Sequence, residues 1–119
     1  MRQGDGFIID ERKFNYFFGK VTSNPHNESR SRSNLENLKR LGIEDNQGGI
    51  EKLLQIFKDG LNAQEIDVIP RPYGIVIIRK VEISYVDTRG GIEISYFYLN
   101  GDLSSIPKIT TIVIKIYKN

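Results

Sequence analysis

Cysteine is absent from this chain of 119 residues, which excludes disulfides, thiolate nucleophiles and cysteine-containing zinc sites. Histidine occurs once, as His26, so a catalytic histidine pair cannot form within one chain. A histidine-rich metal site is disfavoured for the same reason. No apolar run approaches the roughly 18 to 20 residues of a bilayer span, and no N-terminal apolar segment reads as a signal peptide. Repeats and low-complexity tracts are missing, and so is the carboxylate set that metal-dependent DNases use. The expectation is therefore chemistry with no metal and no cofactor. Net charge is only +2, too small to prove a nucleic-acid partner.

What is present fits one soluble domain spanning 1–119, with a helical part at about 10–60 and a sheet part at about 66–117. The small net charge conceals a pattern. Residues 11–40 carry a local +4, residues 41–70 a local −4, and residues 71–119 a local +3. Two basic ends flanking an acidic middle can build one basic cleft, or they can be solvated faces with no shared purpose.

Apolar periodicity changes character midway. Asp10 is placed to cap a short helix through Phe18, on which Phe14, Phe17 and Phe18 share a face. A second helix is predicted from about 26–28 to Leu41, with Pro25 before it, Leu35, Leu38 and Leu41 as its buried stripe and Gly42 at its end. A third runs from about Asn46 to Lys58, with Ile50, Leu53, Leu54 and Phe57 at the spacing of one buried face. From Ile66 the period becomes two. Strands are predicted at 66–70, at 75–86 with a bend near Arg79 and Lys80, at 92–99 and at 109–117. A hairpin signal falls at 88–91. Ile92, Ile94, Tyr96 and Tyr98 share one face, as do Ile112, Ile114 and Ile116, while Thr111, Val113, Lys115 and Tyr117 share the other. Helices followed by a strand meander describe an α+β fold, with N-terminal helices packed on a four- to five-stranded antiparallel sheet.

The segment 21–34 is unusually polar for the approach to a core helix. On a helical wheel at about 100° per residue, His26, Arg30, Ser33 and Asn37 fall within about 60° of one another, beside the leucine stripe. One helix edge thus offers an imidazole, a guanidinium and two neutral hydrogen-bonding groups. The plain alternative is that His26 and Asn27 cap the helix while Ser33 and Asn37 tie down a loop. The last strand adds Lys108, Thr110 and Thr111, whose threonines strand propensity alone explains. Together, an imidazole, strand hydroxyls and cations suit phosphodiester chemistry without metal, because phosphate needs a cation to hold it and a titratable group to move a proton.

The stretch 14–43 contains Phe-Gly-Lys-Val at 18–21, His26-Asn27, an Arg-Ser pair, an asparagine and Leu-Gly-Ile at 41–43. It resembles the C-terminal toxin domains of bacterial contact-dependent growth inhibition and related polymorphic toxin systems. Tyr73-Gly74 and Thr110-Thr111 also resemble that pattern, and the rest matches in layout more than in letters. The resemblance implies a barnase/EndoU/colicin/RelE-like ribonuclease that cuts tRNA or other RNA. It also implies a secreted or cell-surface-delivered domain acting in the target-cell cytoplasm, and a cognate immunity protein as partner.

The expected reaction is attack of a ribose 2′-OH on the adjacent phosphorus, giving a 2′,3′-cyclic phosphate. His26 is the candidate acid or base, Arg30 and secondarily Lys108 the phosphate-holding cations, and Thr111 or Thr110 the hydrogen-bond donor. Of the two threonines Thr111 is preferred, as the one facing the helix. Lys20, Ser33, Asn37, Lys115 and Tyr117 are candidate RNA contacts. Rival classes are a non-catalytic RNA- or protein-binding module and an immunity or antitoxin protein, the latter disfavoured by the basic charge.

Overall fold

Three helices cover one face of a twisted sheet in this computed structural model, which describes residues 2–4, 6–21 and 24–117. The elements are β1 (Arg2–Gly4), β2 (Phe7–Ile9), α1 (Arg12–Phe17), α2 (Pro25–Arg40), a single 3-10 turn at Asp45–Gln47, α3 (Gly49–Gly60), β3 (Gln64–Arg71), β4 (Gly74–Tyr85), β5 (Thr88–Leu99) and β6 (Lys108–Ile116). Strand order is β1-β2-β6-β5-β4-β3, antiparallel throughout except for the parallel pair β2/β6. The α+β class and the helices-on-a-sheet layout are those expected. The two N-terminal strands were not foreseen, because three residues carry too little alternation to read. The partner of β2, β6, also lies about a hundred residues away in sequence.

Local chemistry explains most boundaries. The side chain of Asn24, not His26 or Asn27, caps α2 by accepting the N–H of Asn27 at 2.9 Å, and Pro25 occupies the first turn. Glu28 sits in that first turn and Lys39 and Arg40 in the last, each on the end the helix dipole favours. Gly42, at φ 78°, ends the helix as expected. Residues 22 and 23 of the preceding loop lie outside the described residues. Asp10 does serve α1: its carboxylate accepts the N–H of Arg12 at 3.0 Å and its carbonyl that of Lys13. The third helix starts later than its periodicity suggests, because Gly48 at φ 74° breaks the 3-10 turn from α3.

Two differences within the sheet have steric causes. The β4–β5 turn falls at 86–87, with Tyr85 opposite Thr88, rather than at the glycines of 88–91. Those glycines lie inside β5, where a Cβ on Gly91 would come within 2.8 Å of both Lys80 Cε and Tyr117 Oη. The bend expected near Arg79 and Lys80 is absent from β4, which pairs with β5 without interruption; the register shift sits in β3, between Glu65 and Asp67. A second irregularity falls in β6, where Ser95 pairs with Thr111 and Tyr96 with Ile109, leaving Thr110 as the extra residue.

The core lies between the helices and the alternate residues of the sheet. Ile92, Ile94, Tyr96 and Tyr98 of β5 and Ile109, Ile112 and Ile114 of β6 meet Phe7, Phe14, Phe17, Leu38, Leu53 and Phe57. Phe57 touches Phe7 edge-on at 5.8 Å and Phe17 at 6.5 Å. Tyr96 has no exposed surface, and its hydroxyl donates to the carbonyl of Phe57 at 2.6 Å. Burial raises the pKa of this hydroxyl above the ordinary phenol range, so it stays a donor.

Tyr96→Phe leaves that carbonyl without its buried donor and is expected to cost about 1–3 kcal/mol, read as a lower urea midpoint at unchanged m-value. The Arg12 guanidinium holds the Asp10 carboxyl well below the usual carboxylate range. Its stabilising contribution is therefore present above the ordinary carboxylate pKa and is lost as pH falls through the acid range. Asp10→Asn should flatten the acid limb of a stability–pH profile and leave the neutral limb parallel to that of the parent.

Candidate functional site

Pairing leaves part of β6 open. Its outer neighbour β2 reaches only Lys108 and Ile109, so from Thr110 onward this edge has no strand partner among the described residues. An open edge presents unpaired backbone N–H and C=O groups. Here α2 lies alongside it. Ser29, Arg30, Ser33 and Asn34 of the helix, with Tyr16 of α1, line a groove of about 210 Å³ against Ile112, Val113 and Ile114.

Three contacts hold the helix in that place. Leu38 inserts into the core with no exposed surface. Ser31, also fully buried, donates its hydroxyl to the carbonyl of Tyr16 at 2.6 Å and accepts the N–H of Val21 at 3.5 Å. A hydroxyl bonded to α1 and to the following loop explains a buried serine on a helix otherwise sealed by leucine. At the far end, Leu41 packs behind Gly90, which pairs with Ile116. Helix and strand therefore run in the same direction, and the first turn of α2 lies toward the Lys108 end of β6.

The structure brings several expected residues toward one place. Arg30 and Ser33 line the groove. His26 is exposed one helical turn before Arg30, about 6 Å along the axis. Thr111 is exposed two residues before Val113 on the same strand face, about 7 Å away. Lys108, half-buried, shares that face because it pairs with Phe97. Thr111 does not face the helix layer as the sequence reading prefers: alternation with Ile112 sets it on the other face, and the bulge at Thr110 turns Ile109 toward the helices. Thr111 points to the open face, and the groove reaches that face at Val113. Thr110 is held at the bulge, its hydroxyl 3.5 Å from the carbonyl of Ser95.

Other expected residues lie elsewhere. Lys20 pairs with Asp45 of the 3-10 turn. Asn37 is half-buried one turn beyond Ser33. Lys115 and Tyr117 sit toward the opposite end of β6, about 14 Å and about 20 Å from Thr111. Tyr117 donates its hydroxyl to Glu82 at 2.7 Å. Among the basic residues of 11–40, Arg12 is paired with Asp10 and Arg32 with Glu28, whereas Arg30 has no ion pair among the described residues. A guanidinium without a counter-ion beside open backbone donors and two serines is suited to holding an anion.

Sequence reasoning missed Ser29, Asn34 and Tyr16. Asn34 was accessible as the i+4 neighbour of Arg30; Tyr16 reaches the groove only because α1 packs against α2. The contact of Glu82 with Tyr117, 35 residues away, carries no local signal.

No family model matches the chain, and a search of curated proteins gives no match. The fold is similar to that of a chain in the solved "Contact-dependent growth inhibition toxin - immunity protein complex from Klebsiella pneumoniae 342", with a TM-score of 0.72 and 24% identity. The alignment covers 91% of this chain and 99% of that one. At this identity the likeness establishes the fold.

Ser31→Ala removes the short bond to the Tyr16 carbonyl, which keeps only the longer one from the Gly19 N–H at 3.4 Å. The expected outcome is a loss of about 1–3 kcal/mol in urea unfolding, and faster amide exchange at Val21 than in the parent protein.

Proposed function

We propose that this chain is the toxin domain of a contact-dependent growth inhibition system and acts as a metal-independent endoribonuclease on tRNA or other RNA. The observation that carries this reading is the groove between α2 and the open edge of β6, where Arg30 and Ser33 lie with His26 and Thr111 at the same end. The fold likeness and the resemblance of residues 14–43 support it. The implied partner is a cognate immunity protein, and the implied place of action is the cytoplasm of the target cell.

In this reading the 2′-oxygen attacks the adjacent phosphorus, the bond to the 5′-oxygen breaks, and a 2′,3′-cyclic phosphate and a 5′-OH result. Arg30 holds the non-bridging oxygens, assisted by Lys108, and Thr111 donates a hydrogen bond to one of them. His26 moves one of the two protons, taking it from the 2′-OH or giving it to the leaving oxygen. The other passes through water or the Tyr16 hydroxyl, which lines the same groove. No carboxylate is among the described groove residues, so the chemistry offered is acid–base and electrostatic.

A second reading makes the chain the immunity partner, since the similar structure is a complex of both proteins. The basic groove favours the toxin. Inducing the gene alone separates the two, because a toxin stops growth and an immunity protein is harmless. On purified protein incubated with total tRNA and EDTA, His26→Ala is expected to lower cleavage by about 10²- to 10⁴-fold at unchanged urea stability. A folded His26→Ala variant that retains full cleavage and toxicity overturns the assignment.

A further inference from the structure

A second cluster lies at the other end of the open sheet face. Lys80 and Glu82 of β4 pair with Glu93 and Gly91 of β5, and Lys115 of β6 pairs with Gly91 from the other side, so all these positions share the face turned away from the helices. Tyr117 follows β6 and donates its N–H to the carbonyl of Arg89. Its hydroxyl donates to one Glu82 oxygen at 2.7 Å. Lys80 Nζ stands 3.9 Å from the other Glu82 oxygen and 4.7 Å from the centre of the Tyr117 ring. The Tyr117 oxygen, more than any neighbouring charge, holds the Lys80 ammonium above the ordinary lysine range. Gly91 makes the arrangement possible, because any side chain there would displace the lysine and the tyrosine.

Beside this cluster is a pocket of about 380 Å³, lined by Glu82, Ser84, Arg89, Gly90 and Tyr117 and by Ile83. Lys80 is not among the described lining residues. The ammonium stands over the Tyr117 ring, and Tyr117 also lines the pocket. An aromatic surface, a carboxylate and a guanidinium in one recess match the parts of a single unpaired nucleotide. A base stacks on the ring, the carboxylate accepts from the base edge, and Arg89 holds a phosphate.

We propose that this pocket is a nucleotide subsite selective for guanine. Among the four RNA bases, guanine presents two adjacent N–H donors, N1–H and N2–H, on its Watson–Crick edge, and a carboxylate offers two oxygens side by side. Adenine and cytosine set an acceptor nitrogen beside their amino donor, and uracil flanks its one N–H with carbonyls. Each of these places an acceptor against the carboxylate. Glu82 keeps lone pairs free while accepting from Tyr117, and the Tyr117 bond fixes its orientation. The subsite deepens the ribonuclease reading and rests on it for its biological use. It lies about 20 Å from Thr111, so it selects the RNA at a distance from the scissile phosphate and takes no part in proton transfer there.

Backbone amide shifts of the full chain, titrated separately with guanosine, adenosine, cytidine and uridine 5′-monophosphates and with inorganic phosphate, test it. Guanosine monophosphate is expected to bind most tightly, moving the amides of Arg89, Gly91 and Tyr117. Glu82→Gln should weaken it by about ten-fold or more, to the level of the other nucleotides, and leave inorganic phosphate unchanged. The Glu82 side chain is 65% exposed, so this variant tests recognition and not folding. Equal binding of all four nucleotides, an unaffected Glu82→Gln variant, or shifts confined to the α2 groove overturn the proposal. His26-dependent RNA cleavage without this binding removes the subsite alone; guanine binding without any RNA cleavage removes the ribonuclease reading alone.

Discussion

Tyr96 occupies the middle of the central strand β5 with no exposed surface, and its hydroxyl reaches across the layer boundary to the Phe57 carbonyl in α3. A buried phenol must place its hydroxyl on a partner or lose the water it gave up. That demand sets how closely α3 approaches the sheet, and Gly60 answers it by having no side chain where the Tyr96 oxygen sits. Phe57, held on the same turn, closes the aromatic contacts to Phe7 and Phe17 that bring in β2 and α1. Once one face of the sheet is sealed in this way, every second residue of β4, β5 and β6 is committed to the opposite face.

The opposite face is where charge and hydroxyls collect. It holds Lys80, Glu82, Glu93, Ser95, Lys108, Thr111, Lys115 and Tyr117, and among the described residues the helices pack on the other side. The α2 groove joins it at Val113, since β2 stops pairing after Ile109 and leaves the rest of the β6 edge to the helix. The groove beside Arg30 lies at one end of β6 and the aromatic, charged pocket at the other. In the proposed reading the ligand they share is extended single-stranded RNA, whose bases are free to stack and whose backbone can follow the cations.

Much of this was legible in the sequence. Strict alternation through 92–99 and 112–116 assigned faces correctly, because a strand buried on one side admits only one phase. The spacing of His26, Arg30 and Ser33 placed them on one helix edge, and the helix does carry that edge to β6. Alternation back from Ile112 already sets Thr111 on the open face with Val113 and Lys115, so aiming it at the helix went against that pattern. The bulge at Thr110, which nothing in Lys108 to Thr111 announces, changed the faces of Ile109 and Lys108. The glycines at 90 and 91 read as a turn because glycine permits turns; their actual reason is crowding from Lys115, Lys80 and Tyr117, which lie far off in sequence. Lys20 looked like an RNA contact until the fold set Asp45 beside it.

By itself the sequence determined the helices with their apolar faces, the four long strands, the apolar faces of the last two and the absence of any cysteine chemistry. These properties depend on periods of two and 3.6 residues and on caps such as Asn24 and Gly42, all readable within a few neighbours. Tertiary structure alone decided the parallel pairing of β2 with β6, the open edge it leaves, the entry of Tyr16 into the groove and the meeting of Glu82 with Tyr117. Each of these depends on which distant segments lie side by side, and a local pattern of side chains has no term for that distance.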